Sequence, residues 1–325
     1  MVHRFGGWIG NLRVCGAIVT VGRETEVDDI TMPQGIYPML YAFFDPHGGL
    51  DSHATRRQVG AFVCNGAHGV AVLGLATEVN KLGDIERRQL VEWVAEELNG
   101  RLPLAVTINA PTVQAQVEFA KFAQSLGASW LILQPPPERN VAEDFFIRFF
   151  GSVADRVDLP IAVQNAPEYL GVGLSPEGVN TLHRNHPNFR ILKGEGPVIT
   201  IRRFIEQTEG RIAVFNGRGG LELTDNLRAG CAGMIPATDT FDSQARIFEL
   251  MRAGKQREAE SIYRDILPAI VFTMQSLDTL VCYGKRLAAQ RLGLPEVHDR
   301  APFLAPDVFG LQCVQRFASD LTPLA

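Results

Sequence analysis

Lysine is scarce in this chain: Lys81, Lys121, Lys193, Lys255 and Lys285 stand against 26 arginines. Only Lys193 falls in a run that reads as a strand, directly after Arg190-Ile191-Leu192. A lysine set there sheds much of its water, and desolvation penalises the ammonium form and lowers its pKa. At the reference value of about 10.4, roughly 0.04% of a lysine is free amine at neutral pH. A drop of about two to three pH units raises that ~100-fold or more, enough for attack on a carbonyl. The alternative is a buried ion pair, for which Glu195 is the ready partner, because residues i and i+2 share a strand face.

The surrounding pattern must place that lysine. Eight short apolar runs recur, at residues 35–44, 69–75, 102–109, 129–135, 160–166, 189–195, 211–217 and 233–239, beginning 22 to 34 residues apart. That spacing is one strand plus one helix. Several runs are apolar almost throughout, as in Trp130-Leu131-Ile132-Leu133, which is how parallel strands buried on both faces read. The stretches between them have helical periodicity. Residues 84–98 are expected to set Ile85, Leu90, Val91, Val94 and Leu98 on one apolar side, and 112–126 and 175–183 behave alike. Ser175-Pro176 reads as a cap with proline at the first helical position. Eight such units predict an α/β fold, a (β/α)8 TIM barrel over residues 34–242. A C-terminal helical extension follows over 243–325, with a break expected near Pro268. The turn after the first run, residues 45–51, reads as a plain connection and not as a GxGxxG loop.

In such a barrel, working residues lie at the carboxyl ends of strands. The second run ends in Gly74-Leu75-Ala76-Thr77-Glu78, the third in Asn109 and the fourth in Gln134. The fifth ends in Gln164-Asn165-Ala166-Pro167, the sixth in Lys193-Gly194-Glu195 and the seventh in Asn216-Gly217.

In this order and spacing the chain from about residue 35 to 295 resembles the dihydrodipicolinate synthase / N-acetylneuraminate lyase superfamily. Residues 74–78 stand at its Gly-Thr-Thr-Gly-Glu-type motif and Gln164-Asn165-Ala166-Pro167 at its Tyr-Asn-Val-Pro. Gly230-Cys231-Ala232-Gly233-Met234-Ile235 stands at the Gly-Gly-x-Gly-x-Ile of its eighth strand. The resemblance implies that Lys193 forms a Schiff base with a small-molecule 2-oxo acid, that no cofactor is used, and that the chain is a homo-oligomer, a dimer or tetramer. It makes Thr77, Gln164, Asn165 and Asn216 the expected substrate-binding residues.

The departures set the reaction type. The family's strand-five tyrosine is Gln164, its tyrosine-bearing loop after strand four is Pro135-Pro136-Pro137, and Tyr169 stands where true dihydrodipicolinate synthases hold an arginine. The pattern is closest to members similar to 2-keto-3-deoxy-L-arabinonate dehydratase. Retro-aldol cleavage needs a base for the C4 hydroxyl, and an amide cannot accept that proton. Dehydration needs a carboxyl that takes a C3 proton and then helps the C4 hydroxyl leave. Glu78 and Glu195 are the candidates, and Thr77 with its neighbouring amides is the expected carboxylate holder. The expectation is a lyase that dehydrates a 2-keto-3-deoxy sugar acid. Retro-aldol cleavage and a non-catalytic 2-oxo-acid-binding barrel are the alternatives.

Composition narrows the rest. At 46% hydrophobic and 21% charged, the chain is not disordered, and no run of eighteen apolar residues predicts a membrane partner. A net charge of −5 without a basic face argues against nucleic acid. Five cysteines without CxxC, and histidines without HxxxH spacing, predict no metal and a cytoplasmic setting. Residues 14–22 are apolar but short and lack a small-residue cleavage pattern. Residues 1–33 are therefore expected to form an arm, with Met32 a candidate natural start.

Overall fold

The computed structural model describes residues 32–324, so the expected arm lies almost wholly outside the described residues. Eight strands form in the predicted places: β1 (Gly35–Ile36), β2 (Val70–Val72), β3 (Leu104–Ile108), β4 (Trp130–Leu133), β5 (Ile161–Asn165), β6 (Phe189–Gly194), β7 (Ala213–Asn216) and β8 (Gly233–Met234). All pair in parallel, in the order β1-β8-β7-β6-β5-β4-β3-β2, giving an α/β fold with a curled sheet. The segment that follows β1 reaches β2: the Leu40 N–H donates to Ala71 O and the Ala71 N–H to Pro38 O, each at 3.0 Å, contacts consistent with a (β/α)8 barrel.

The inside of the curl is packed with side chains. Trp130 of β4 and Phe215 of β7 are not on adjacent strands, yet their rings stack at 5.7 Å, with Tyr37 edge-on to both. Such contacts form only across the interior. Lys193 stands in register with Phe215 on one side and Gln164 on the other, so all three point inward. The alternation of β6 then carries Glu195 to the same side.

The helices follow the capping signals. Ser175 Oγ accepts from the Gly178 N–H at 3.1 Å and opens the helix Pro176–Asn185. Thr112 caps Val113–Ser125 in the same way. The helix Asp84–Leu98 buries Leu90, Val91, Val94 and Leu98, but Ile85 is 83% exposed, contrary to expectation. At about 100° per residue Ile85 lies roughly 180° from Val94, on the opposite face.

Beyond β8 the chain is helical: Phe241–Arg252, Gln256–Thr273, Leu277–Thr279, Lys285–Arg291 and Val308–Asp320. Pro268 does not break its helix, which continues to Thr273. A proline withdraws only one donor from the ladder. The break comes at 274–276, where Ser276 and Thr279 exchange reciprocal capping bonds of 2.8 and 3.1 Å and start a new helix. Leu280–Gly284 then forms a turn of π-helix. No single described helix is long and apolar enough to cross a membrane.

Candidate active site

The carboxyl ends of β3 to β6 are joined by side chains. Asn109 Nδ2 donates to Gln134 Oε1, Gln134 Nε2 to Gln164 Oε1 at 2.8 Å, and Gln164 Nε2 to Glu195 Oε1 at 2.5 Å. Lys193 Nζ donates to the same Glu195 oxygen at 2.7 Å, and lysine and glutamate are both buried. Oε2 accepts no hydrogen bond among the described residues. Gly217 provides the room for this arrangement, since a Cβ there would lie 2.8 Å from Glu195 Cγ. Asn109 and Gln134 had no assigned role in the sequence reading. The available signal was a polar residue closing each of several consecutive apolar strands.

A cavity of about 40 Å³ adjoins Lys193 and Glu195. Its one other polar side chain is Tyr169, and the remaining lining residues are apolar or glycine. Tyr169 belongs to the four-residue helix Pro167–Leu170 that follows β5. Burial and then the Glu195 charge raise its phenol pKa, against the neighbouring Arg218 guanidinium, so the hydroxyl stays a donor at neutral pH. Sequence reading recorded this position only as a lost arginine.

Leu75 and Ala76 line the cavity where β2 ends, and neither backbone N–H has a bonded acceptor among the described residues. The turn is strained at its entry, where Leu73 adopts φ 65°. Two adjacent unpaired amides in residues that line a small cavity suit a carboxylate.

The other predicted residues are placed elsewhere. The Thr77 hydroxyl donates to Leu40 O at 2.7 Å and pins the turn to the segment after β1. Asn165 holds the loop beyond β5, accepting from the Leu174 N–H at 2.6 Å and donating to Leu174 O at 3.0 Å. Asn216 donates to Gly196 O at 2.9 Å and to Asn226 Oδ1 at 3.0 Å. Glu78 is buried beside two ammonium groups, those of Lys81 and Lys285, and is not part of the cavity wall. Nearby, fully buried Asp239 accepts from the Tyr41 hydroxyl at 3.3 Å, and burial pushes its carboxyl up to about 6. Among the described residues no group of three or more His, Cys, Asp or Glu could hold a metal ion.

The parallel eight-stranded sheet with a buried lysine–glutamate pair at the end of its sixth strand is the setting in which comparison with known proteins places an enzyme of the lyase class. The chain belongs to the dihydrodipicolinate synthetase family, whose model matches residues 32–314. It is 25% identical over 239 residues to the 4-hydroxy-tetrahydrodipicolinate synthase of Methanopyrus kandleri, covering 72% of this chain and 79% of that one. It is 28% identical over 258 residues to YagE of Escherichia coli (strain K12), provisionally named a 2-dehydro-3-deoxy-D-gluconate aldolase, covering 76% and 85%. The crystal structure of YagE in complex with pyruvate superposes with a TM-score of 0.82 at 23% identity, covering 88% of this chain and 97% of that one.

Proposed function

We propose that the protein is a Schiff-base lyase that dehydrates a 2-keto-3-deoxy acid. The barrel of residues 34–242 would hold the chemistry and the helices of 243–325 would cover it. The observation that carries this reading is the Lys193–Glu195 pair, set at 2.7 Å in a cavity otherwise apolar except for Tyr169.

A proton passing from the Lys193 ammonium to Glu195 frees the amine. The amine attacks C2 of the 2-oxo acid, and Glu195 gives its proton to the resulting carbinolamine hydroxyl, which leaves as water to give an iminium beside a Glu195 that is again a carboxylate. The unpaired amides of Leu75 and Ala76 hold the substrate carboxylate. The iminium acidifies C3, and Glu195 removes a proton there to give an enamine. The same carboxyl then delivers that proton to the C4 hydroxyl, which departs as water while the Tyr169 hydroxyl donates a hydrogen bond to it. Hydrolysis of the unsaturated iminium frees the product and returns the amine. Gln164 orients Glu195 and carries no proton.

Retro-aldol cleavage is the second reading, and the aldolase names of YagE and of YjhH, 26% identical over 279 residues, favour it. Incubation with racemic 2-keto-3-deoxypentonate separates the two. A product lighter by one water, without pyruvate, supports dehydration. Stoichiometric pyruvate plus an aldehyde overturns it. The proposal includes a cytoplasmic homo-oligomer, a dimer or tetramer, which sedimentation of the purified protein checks.

A further inference from the structure

We infer that Glu78 and Lys285 form a buried latch that fixes two walls of the cavity against each other, so that Glu78 is a positioning residue for the reaction. One wall is the turn 74–78. Its Leu75 and Ala76 line the cavity with backbone N–H groups that have no acceptor among the described residues, and the Glu78 N–H donates to Leu75 O at 2.9 Å. Glu78 itself is held at φ 57°, a left-handed conformation that a glutamate adopts only when its surroundings enforce it. The other wall is the apolar roof of Met274, Leu277 and Leu280, which lies on the segment between the helix break and the π-helical turn. That turn delivers Lys285, whose side chain is 0% exposed and whose Nζ donates to Glu78 Oε1. The contact joins residues 207 positions apart.

The pair has no spare capacity for proton transfer. Glu78 Oε2 accepts from Lys81 Nζ at 2.5 Å, and that ammonium also donates to Arg300 O at 2.9 Å. Both carboxylate oxygens are therefore committed to cations, and the side chain is 2% exposed. The Lys285 ammonium also sits 5.2 Å from the centre of the Phe44 ring. A single π-turn re-aims every side chain beyond it, and this one directs Lys285 to Glu78 while Leu280 lines the cavity that Lys193 also lines. The latch thus ties the carboxylate-holding amides to the surface that keeps water from the amine.

The inference rests on the Schiff-base reading for its catalytic consequence but not for its structural one, and the test uses both. Glu78→Gln, Lys285→Met and the double variant are compared with wild type. Glu78→Gln strands the fully buried Lys285 charge, Lys285→Met leaves Glu78 paired with Lys81 alone and one oxygen unpartnered, and the double variant buries neither unpaired group, because Lys81 is partly exposed. Hydrogen exchange of the unliganded protein should show protection lost at 74–82 and 274–285 in each single variant and largely regained in the double. The pyruvate concentration giving half-maximal borohydride-trapped adduct should rise about 10-fold in the singles and return to within about 3-fold in the double, with the limiting yield unchanged. Turnover lost more than about 100-fold in Glu78→Gln, with exchange and adduct intact, would make Glu78 a proton carrier and overturn the latch. Effects that simply add in the double variant overturn it too. If wild type gives no adduct, the Schiff-base reading fails, and the exchange pattern alone decides the latch. If a single variant does not fold, the double variant decides: folding with near-wild-type exchange at both segments supports the latch, and failure to fold overturns it.

Discussion

Gln164 and Lys193 are register partners across β5 and β6, and their nitrogens converge on one oxygen, Oε1 of Glu195. Strand pairing therefore aims the amide and the ammonium at the carboxylate together, and the second oxygen accepts no hydrogen bond among the described residues. In the proposed reaction Gln164 acts on Glu195 and not on substrate. Gln164→Ala should lower kcat on the order of 10- to 100-fold and leave adduct formation intact, whereas loss of a proton carrier costs about 100- to 10,000-fold. Steady-state kinetics beside borohydride trapping measures this, and a loss beyond about 1000-fold with the adduct intact would give Gln164 a direct role.

Covalent capture should map to one residue. Pyruvate or a longer 2-oxo acid with borohydride should leave a stable adduct on Lys193. Neither Lys193→Ala nor Lys193→Arg should form it, because a guanidinium stays charged. Peptide mapping to another lysine, or no adduct with any 2-oxo acid, refutes the mechanism.

Glu195→Gln separates capture from proton transfer. The variant should still bind pyruvate covalently, more slowly, but exchange of the pyruvate methyl protons with deuterated water should fall about 100- to 10,000-fold. Unchanged exchange, followed by NMR, would transfer the base to another group.

Tyr169→Phe keeps the ring and removes the donor. Dehydration should slow about 100-fold, the usual loss for one preorganised donor. Pyruvate methyl exchange should hardly change, because that step precedes departure of the hydroxyl. Equal losses in both reactions would mean that Tyr169 acts on binding or on Glu195.

Asp239 predicts a pH dependence of stability. Its folded pKa of about 6 lies above the ordinary 3.8 because burial disfavours the anion. The folded state holds this proton more tightly than the unfolded chain. The resulting stabilisation is full below about pH 3.8 and is lost as pH rises through about 6. Asp239→Asn cannot ionise, and its amide oxygen still accepts from Tyr41. Relative to wild type the variant should gain roughly 2 kcal/mol between pH 4 and pH 7. Urea midpoints at the two pH values test this, and a difference that does not grow with pH contradicts it.

What the sequence reveals depends on how local the cause is. The eight strands were legible because strands covered on both faces read as continuous apolar runs. Lys193 was legible because a lysine inside such a run must either give up its charge or pair with a buried carboxylate, and Glu195, two residues further on, is that partner. The environment of Glu78 was not, since its partner Lys285 comes from a helix 207 positions away. Tyr169 was read only as a replaced arginine, because a short helix past the strand returns it to the cavity. Asn165 was expected to face substrate, yet its side chain is occupied by Leu174, an arrangement set by the fold of the following loop. The misplaced break at Pro268 shows a capping exchange at Ser276 outweighing one missing donor.

The contact between Lys193 and Glu195 has an electrical consequence. Ammonium with carboxylate, amine with carboxylic acid, iminium with carboxylate, and enamine with carboxylic acid all sum to zero charge. Every proposed intermediate on this pair is therefore isoelectric with the resting site. A space lined mainly by hydrocarbon penalises net charge steeply, because attraction and desolvation both grow as the dielectric falls. With its counter-charge two residues further along the chain, the amine can pass through each of these forms, once the substrate carboxylate is bound, without any further change in the charge of the enclosed volume.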